Sequence, residues 1–324
     1  MTETRPIGRS GLATPPLVLG GNVFGWTATG EEAFRILDRF VEAGGTMVDT
    51  ADVYSAWVPG HQGGESEALI GAWLKRRGSR RGVQIATKVG MLHRHGGGRL
   101  EAWRIAKAAE ESLKRLGVET IDLYYAHRDD PDTPMEEVLD AFDRLVRAGK
   151  VRALGASNFT AERLAEALAV SARLGLARYE VLQNEYHLLA RDGFEGALER
   201  LCLEEEIGVL PYYGLASGYL TGKYRSAADY GQSVRGDRMA KYVEGQGPTV
   251  LAALDETAAE TGATPAQIAL AWIASRPTIA APIASSRTPD QLEELLGAME
   301  LKLSDSQLAR LDRASSPKSD LTTR

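Results

Sequence analysis

The sequence predicts a (β/α)8 TIM barrel: eight parallel strands closed on themselves, with an extra carboxy-terminal helix and a long loop after the seventh strand. Short apolar runs alternate with amphipathic helical stretches from one end of the chain to the other, the pattern of an α/β fold with a parallel sheet. Eight strand-like runs are present, whereas an open doubly wound sheet more often has about five or six strands and a glycine-rich phosphate turn after the first. The length of 324 residues suits a barrel of about 250 residues with insertions. No stretch rich in Pro, Gly or Ser divides residues 1–324 into separate domains.

Each element has its own justification. Leu17–Gly20 is continuous and apolar, as a strand covered on both faces must be, and Glu31–Ala43 follows with apolar residues at helical spacing. Gly44-Gly45 stops that helix, and Thr46–Asp49 then leads to Ser66–Arg76. Val83–Lys88 precedes Glu101–Leu116, and Asp122–Ala126 precedes Met135–Ala148, which ends at Gly149. Val151–Ala156 leads to Ala161–Leu174, and Val181–Gln183 to Phe194–Glu206. After Val209–Tyr212 come Thr249–Thr261 and Pro265–Ser275, and after Ala280–Ile283 comes Pro289–Ala298. Thr264-Pro265 and Thr288-Pro289 each place a capping residue before a proline at the first helical position. Ser304-Asp305-Ser306-Gln307 reads as a capping box opening a final helix outside the repeat, and Ser315–Arg324 as a flexible, solvated tail. The connection from Ser217 to Gly247 is polar, Gly-punctuated and aperiodic, longer than the ~12–15 residues of ordinary loops. Lying over the carboxyl face of the barrel, it reads as a lid above a ligand.

Composition narrows the function classes. The chain is 44% hydrophobic and 25% charged, an ordinary globular balance. A chain of this size buries around three quarters of the surface its unfolded form exposes, so no metal or disulfide staple is required. Cys202 is the sole cysteine, which excludes an internal disulfide and fits a reducing, cytoplasmic setting with a buried, inert thiol. Met1 to Arg9 is polar, and no run is long enough to span a bilayer, so no membrane partner is expected. A net charge of −6 argues against nucleic acid as a partner. His93 and His95 form a loop pair without a third ligand, so no metal is expected. Nothing in the sequence specifies an oligomeric state.

Four titratable residues fall at or just beyond the carboxyl ends of different predicted strands: Asp49 and Tyr54 after the second, Lys88 at the third, His127 at the fourth. Singly, each has an ordinary reading, as a turn cap, a loop anchor, a solvated strand end and a satisfied loop histidine. Together they converge on the rim where barrels of this type carry catalysis. Their chemistry suits a proton donor. A tyrosine with a pKa near ~10 is a weak acid at neutral pH. A lysine ammonium ~4 Å away stabilises a phenolate by ~4 kcal/mol at an effective dielectric of ~20, about three pKa units. A carboxylate would hold the ammonium in place while offsetting part of its pull, and a histidine would orient a carbonyl oxygen.

This set, in the contexts Asp49-Thr50-Ala51-Asp52-Val53-Tyr54-Ser55, Ala86-Thr87-Lys88 and Leu123-Tyr124-Tyr125-Ala126-His127, resembles the catalytic tetrad of the aldo-keto reductase superfamily. Gly64-Glu65-Ser66-Glu67 resembles the family's Gly-x-Ser-Glu element. Val151-Arg152-Ala153-Leu154-Gly155-Ala156-Ser157-Asn158-Phe159 and Gln183-Asn184-Glu185-Tyr186 match its fifth and sixth strand signatures, so the resemblance covers nearly the whole chain. It implies an NADPH-dependent oxidoreductase that reduces aldehyde and ketone carbonyls to alcohols, with Tyr54 as the proton donor. Lys88 and Asp49 would tune it and His127 would orient the substrate. Ser157, Asn158 and Gln183 would then bond the nicotinamide carboxamide and Tyr212 would stack on the ring. Leu215, Ser217, Gly218 and Lys223 would fall in the pyrophosphate segment. Ile283, Ser285, Ser286 and Arg287 would lie toward the adenosine end, with Ser286 and Arg287 on a 2′-phosphate and Gln291 and Glu294 by the adenine. An arginine fork beside a helix amino terminus is also what an anion needs on physical grounds.

The chain departs from the pattern at Leu295, where the family has Asn after Glu, and at Tyr212-Tyr213-Gly214-Leu215, where many relatives have Tyr-Ser-Pro-Leu. The expected substrate walls are Asn22, Trp26, Trp57, Arg128 and Tyr186: aromatic surfaces for flat or apolar carbonyl compounds, and an arginine for an anionic group. Two other readings stay open at this point. One is an NADPH-binding redox sensor or regulatory subunit with little turnover, and the other is a barrel aldolase using Lys88 as a Schiff-base amine.

Overall fold

Along a strand successive side chains face opposite ways, and that alternation sorts the apolar residues of this chain into two cores. The computed structural model describes residues 3–92, 99–232 and 236–317, so the His93–His95 pair and most of the expected tail lie outside the described residues. Val18, Met47, Ala86, Leu123, Ala153, Val181, Leu210 and Ile283 point into the lumen and pack on one another. Their neighbours Leu19, Val48, Ile85, Tyr124, Leu154, Leu182 and Val209 point outward and pack with the helices.

The strands are β3 (Val18–Gly20), β4 (Met47–Asp49), β5 (Gln84–Val89), β6 (Ile121–Ala126), β7 (Val151–Ser157), β8 (Tyr179–Gln183), β9 (Gly208–Val209) and β10 (Ile283–Ala284), preceded by β1 (Arg5–Pro6) and β2 (Ala13–Thr14). From β3 to β9 each pairs in parallel with the next, and β10 pairs with β3. Closure runs through a parallel bridge from Val209 to Ile279, with the Ala280 amide donating to Val209 and the Ile283 amide to Pro211. The last two strands are shorter than the apolar runs suggested. Pro211 and Pro282 sit in those runs, and a proline has no N–H for the ladder.

The helices are α1 (Gly30–Glu42), α2 (Glu65–Arg77), α3 (Ala102–Leu116), α4 (Met135–Arg147), α5 (Ala161–Leu174), α6 (Ala197–Glu204), α7 (Ala240–Val243), α8 (Gly247–Thr261), α9 (Pro265–Ala274), α10 (Pro289–Leu296) and α11 (Asp305–Ala314). Thr264, Thr288 and Ser304 cap α9, α10 and α11 as expected, with reciprocal capping boxes at Thr264–Gln267 and Ser304–Gln307. The helix α6 begins three residues later than its apolar pattern, because Gly196 takes φ +97° and ψ −114° and cannot continue a helical turn.

Three features differ from expectation. The hairpin β1–β2 carries no strand pattern in the sequence, yet its turn buries Ile7 and Leu12 into the amino-terminal end of the lumen. Gly8, at φ +52°, lies so close to Gly208 that a Cβ there would sit 2.3 Å from its amide nitrogen. The connection after β9 is built of short 3-10 turns, Ala216–Thr221, Ala227–Gln232 and Gly236–Met239, leading into α7. Tyr219, Leu220, Tyr224, Met239 and Tyr242 anchor it in the outer core, and these irregularly spaced anchors give no periodicity to read. Finally, Ser315 is buried, its hydroxyl donating to Leu311 and receiving Arg191, so the solvated tail does not begin there. Among the described residues, no helix is long and apolar enough to cross a membrane.

Candidate active site

The alternation that fills the lumen also builds the site. Below the rim the inward positions are Met47, Ala86, Leu123, Ala153 and Val181. Continuing each series by two or four residues gives Asp49, Lys88, His127, Ser157 and Gln183, at the carboxyl ends of the strands. Tyr54 follows β4 on a turn fixed by Ser55, whose φ is +71° and whose hydroxyl donates to the Phe24 carbonyl at 2.9 Å. Thr50 Oγ1 donates to Ser66 Oγ, which donates to the Gly21 carbonyl, tying the end of β4 to α2 and to the loop after β3. The Gly-x-Ser-Glu element is therefore a brace: Ser66 holds this chain of bonds, and buried Glu67 receives Thr87 and Arg115.

Lys88 is wholly buried and its ammonium has three acceptors: Asp49 Oδ2 at 2.6 Å, the Thr50 carbonyl at 2.7 Å and Tyr54 Oη at 2.9 Å. Those match its three protons, which leaves no exposed amine for a Schiff base. Tyr54 Oη also approaches Asp49 Oδ2 at 3.4 Å, and Gln183 Nε2 donates to Asp49 Oδ1 at 2.8 Å. At an effective dielectric of ~20, the ammonium at 2.9 Å favours a phenolate by about 6 kcal/mol and the carboxylate at 3.4 Å opposes it by about 5 kcal/mol. The two nearly cancel, so burial decides the direction. Tyr54 is pushed well above the usual phenol value, by burial first and the Asp49 charge second. The lysine alone would have depressed it, as the sequence suggested; the carboxylate neutralises that pull. Burial lowers Lys88 despite Asp49. His127 is pushed well below the usual imidazole value, by burial first and then by the charges of Lys88 and Arg128. Its Nδ1 is buried with no hydrogen-bond partner among the described residues.

Above these groups opens a cleft of about 660 Å³. One end is walled by Trp26, Trp57 and Arg128 around Asp49, Tyr54 and His127, while Asn22 lies farther along, its Oδ1 accepting from Ser285 Oγ at 2.6 Å. Next come Ser157, Asn158, Gln183 and Tyr212, already joined in a net. Ser157 Oγ donates to the Gln183 carbonyl, Asn158 Nδ2 to the His127 carbonyl at 2.8 Å, and Tyr212 Oη to Asn158 Oδ1 at 2.7 Å. The far end is lined by Leu215, Ser217, Gly218, Lys223, Ile283, Ser285, Arg287, Gln291 and Glu294.

That far end has the chemistry an anionic ligand needs. Ala216, Ser217 and Gly218 take successive positive φ values, and Lys223 and Arg287 bring two cations. The amino terminus of α10, opened by Pro289, adds a positive dipole end. Gln291 Oε1 accepts the Arg287 amide, fixing that turn. The residues present thus fit a long ligand with phosphates toward α10 and an amide-binding end beside Tyr54.

Besides Lys88, which lies buried beneath Tyr54, two expected site residues do not line the cleft. Tyr186 is buried on the outer side, stacked on Trp272 at 5.4 Å and donating to Glu195. It stands an odd number of positions beyond inward-facing Gln183, so it turns to the opposite face. Ser286 is wholly buried between Ser285 and Arg287, which face the cleft, and its hydroxyl has no partner among the described residues. Val23, Thr27, Val53, Met91, Tyr213 and Thr221 also line the cleft. They follow the same strand ends as the expected residues, but their side-chain chemistry did not distinguish them from packing.

The comparisons with known proteins agree with this geometry. A family profile described as the Aldo/keto reductase family matches residues 16–316. "Uncharacterized oxidoreductase YrpG" of Bacillus subtilis is 34% identical over 316 residues, 94% of this chain and 93% of that one. Norsolorinic acid reductase stcV of Emericella nidulans is 32% identical over 320 residues, covering 94% and 79%. Aldo-keto reductase yakc [NADP(+)] of Schizosaccharomyces pombe is 31% identical over 292 residues, covering 88% and 83%.

Proposed function

The chain belongs to the aldo/keto reductase family and is an oxidoreductase, and from that premise we propose that it reduces aldehyde and ketone carbonyls with NADPH, Tyr54 supplying the proton. The observation that carries the reading is the contact of Tyr54 Oη with both Lys88 and Asp49 at the floor of the cleft. When bound, the reduced nicotinamide supplies the hydride. Ser157, Asn158 and Gln183 would receive its carboxamide, Tyr212 would lie against its ring, Ser217, Gly218 and Lys223 would face the pyrophosphate, and Arg287 would meet the 2′-phosphate, with Gln291 and Glu294 at the adenine. The relative named for NADP(+) supports that choice of cofactor.

The chain's own residues divide the acid chemistry among them. Because Tyr54 is held well above its usual pKa, it stays protonated throughout the neutral range and is always ready as an acid. As negative charge grows on the carbonyl oxygen, Tyr54 Oη gives up its proton, and the phenolate left behind faces the Lys88 ammonium at 2.9 Å. Asp49 keeps that ammonium in place, and Gln183 keeps Asp49 in place. His127, held neutral, carries its proton on Nε2, because a protonated Nδ1 would bury an unpaired N–H. It then donates to the substrate carbonyl and orients it toward Tyr54.

NADPH consumption by the purified protein with an activated aromatic aldehyde, read alongside NADPH binding, tests the reading. Turnover with alcohol formed in equal amount is the expected result. Tight binding without turnover across aldehydes and ketones would favour a redox sensor, and the absence of NADPH binding would overturn the reading altogether.

A further inference from the structure

Lys88 is wholly buried, and its three ammonium protons go to Asp49, Tyr54 and the Thr50 carbonyl. The first two acceptors belong to the acid chemistry. The third is a peptide oxygen at 2.7 Å, and a buried donor that loses its partner bears the full cost of desolvation. Where the Thr50 carbonyl points therefore bears on where the ammonium sits.

The sheet ladder alone does not fix that carbonyl, because β4 ends at Asp49 and the chain leaves the strand at Thr50. The Thr50 amide donates to Ala86 at 2.8 Å and the Asp52 amide to the Lys88 carbonyl at 3.2 Å, so residues 50–52 meet the lysine at its backbone as well as its head. Asp49 faces the lumen, so the Thr50 side chain faces outward toward α2. There its buried hydroxyl donates to Ser66 Oγ at 2.8 Å, and Ser66 Oγ donates to the Gly21 carbonyl at 2.8 Å. The Gly21 amide closes the circuit on the Asp49 carbonyl at 2.7 Å. The fit is tight: a Cβ on Gly21 would stand 2.9 Å from that carbonyl oxygen and 3.0 Å from Ser66 Oγ. Glu67, next in α2, receives Thr87 Oγ1 at 2.6 Å. The first turn of α2 thus grips the residue after Asp49 and the residue before Lys88. Neither Thr50 nor Ser66 lines the cleft.

Resting on the reductase reading of this cleft, we propose that the Thr50 and Ser66 hydroxyls are positioning groups for the proton transfer: by fixing the Thr50 carbonyl, they hold the Lys88 ammonium against Tyr54 Oη. If the carbonyl turned away, the ammonium would be drawn to its strongest remaining partner, the Asp49 carboxylate at 2.6 Å. Tyr54 would then keep the opposing charge of Asp49 with less of the ammonium to balance it.

Three variants separate the hydroxyl from the shape. Thr50→Val keeps the volume and loses the hydroxyl, and Thr50→Ser keeps the hydroxyl. Thr50→Val/Ser66→Ala removes both ends of the bond, so that no Ser66 hydroxyl is left without its donor, and it carries the comparison if Thr50→Val fails to fold by circular dichroism. Each is assayed for NADPH-dependent reduction of 4-nitrobenzaldehyde and for NADPH affinity by fluorescence. The alkaline titration of Lys88 is followed by NMR of protein labelled with 13Cε-lysine, its resonance assigned by its loss in Lys88→Met/Asp49→Asn. Thr50→Val and the double variant should lose about three- to tenfold in kcat, the range of one net hydrogen bond. KM and NADPH affinity should stay within about twofold, since both side chains lie off the cleft. The Lys88 midpoint should fall by about half to one pH unit, as the ammonium loses an acceptor, and Thr50→Ser should restore rate and midpoint together. Losses in Thr50→Ser as large as in Thr50→Val, or a wild-type rate in the double variant, would overturn the positioning role. Losses confined to KM or to NADPH affinity would overturn it as well. The midpoint needs no turnover: its fall in Thr50→Val, beside a wild type that reduces no aldehyde, would uphold the positioning of Lys88 and sink the reductase reading. Turnover by wild type, with rate and midpoint both unmoved in Thr50→Val, would do the reverse.

Discussion

Replacing Lys88 with methionine tests how the acid is tuned. Methionine nearly fills the volume of the buried stem and removes only the ammonium, which lies 2.9 Å from Tyr54 Oη. Full loss of that interaction is about 6 kcal/mol at an effective dielectric of ~20. If about half a charge has developed on the phenol in the transition state, about 3 kcal/mol is lost, on the order of a hundredfold in rate. A complication is Asp49, which would keep a buried charge without its 2.6 Å partner and could unfold the single variant. The double variant Lys88→Met/Asp49→Asn removes both charges, whose effects on the phenol nearly cancel, so it should fold and recover to within about threefold of wild type. The assay is kcat and kcat/KM with an aromatic aldehyde at pH 7, with circular dichroism to confirm folding and a fluorescence titration to confirm NADPH binding. A folded, cofactor-binding Lys88→Met variant with kcat within about threefold of wild type, a change of only ~0.7 kcal/mol, or a folded double variant as slow as the single one, would refute the electrostatic reasoning.

The remaining predictions follow from the same geometry. Since His127 is pushed well below and Tyr54 well above their ordinary values, the imidazole is neutral and the phenol protonated across neutral pH. Then kcat/KM should show no break near the ordinary histidine value of about 6.5 and should fall only as pH rises past about 10. A pH–rate profile with a midpoint at the ordinary histidine value would contradict this. Arg287→Ala should weaken NADPH by about ten- to a hundredfold relative to NADH, as loss of a charge-assisted bond predicts; equal losses for both cofactors would make Arg287 structural. Tyr186→Phe removes the bond to Glu195 and should lower stability by about 1.5–3 kcal/mol in urea denaturation. Its kcat and KM should stay at wild-type values, since Tyr186 lies off the cleft.

Which parts of this were legible in sequence depends on how local their cause is. The eight strand–helix pairs and the caps at Thr264, Thr288 and Ser304 are written in short-range patterns, and the structure has them. The rim residues Asp49, Lys88 and His127 are legible because each stands at the carboxyl end of an apolar run, and in the structure strand parity turns them inward with the lumen series. The misses have non-local causes. Tyr186, expected as a substrate wall, is turned by parity toward Trp272. The upward shift of Tyr54 depends on its burial and then on the Asp49 separation of 3.4 Å, neither of which any spacing in the chain reveals. The hairpin at Arg5–Thr14 exists because it closes the lumen against Gly208, a partner about two hundred residues away in the sequence.

The most direct test of the central claim is Tyr54→Phe beside wild type, measuring NADPH consumption with an aromatic aldehyde and NADPH affinity in the same preparations. The account predicts turnover reduced by at least about a hundredfold, the loss expected for a missing general acid, with cofactor affinity within a few-fold of wild type. Near-normal turnover by Tyr54→Phe would contradict it, because the proton would then come from elsewhere.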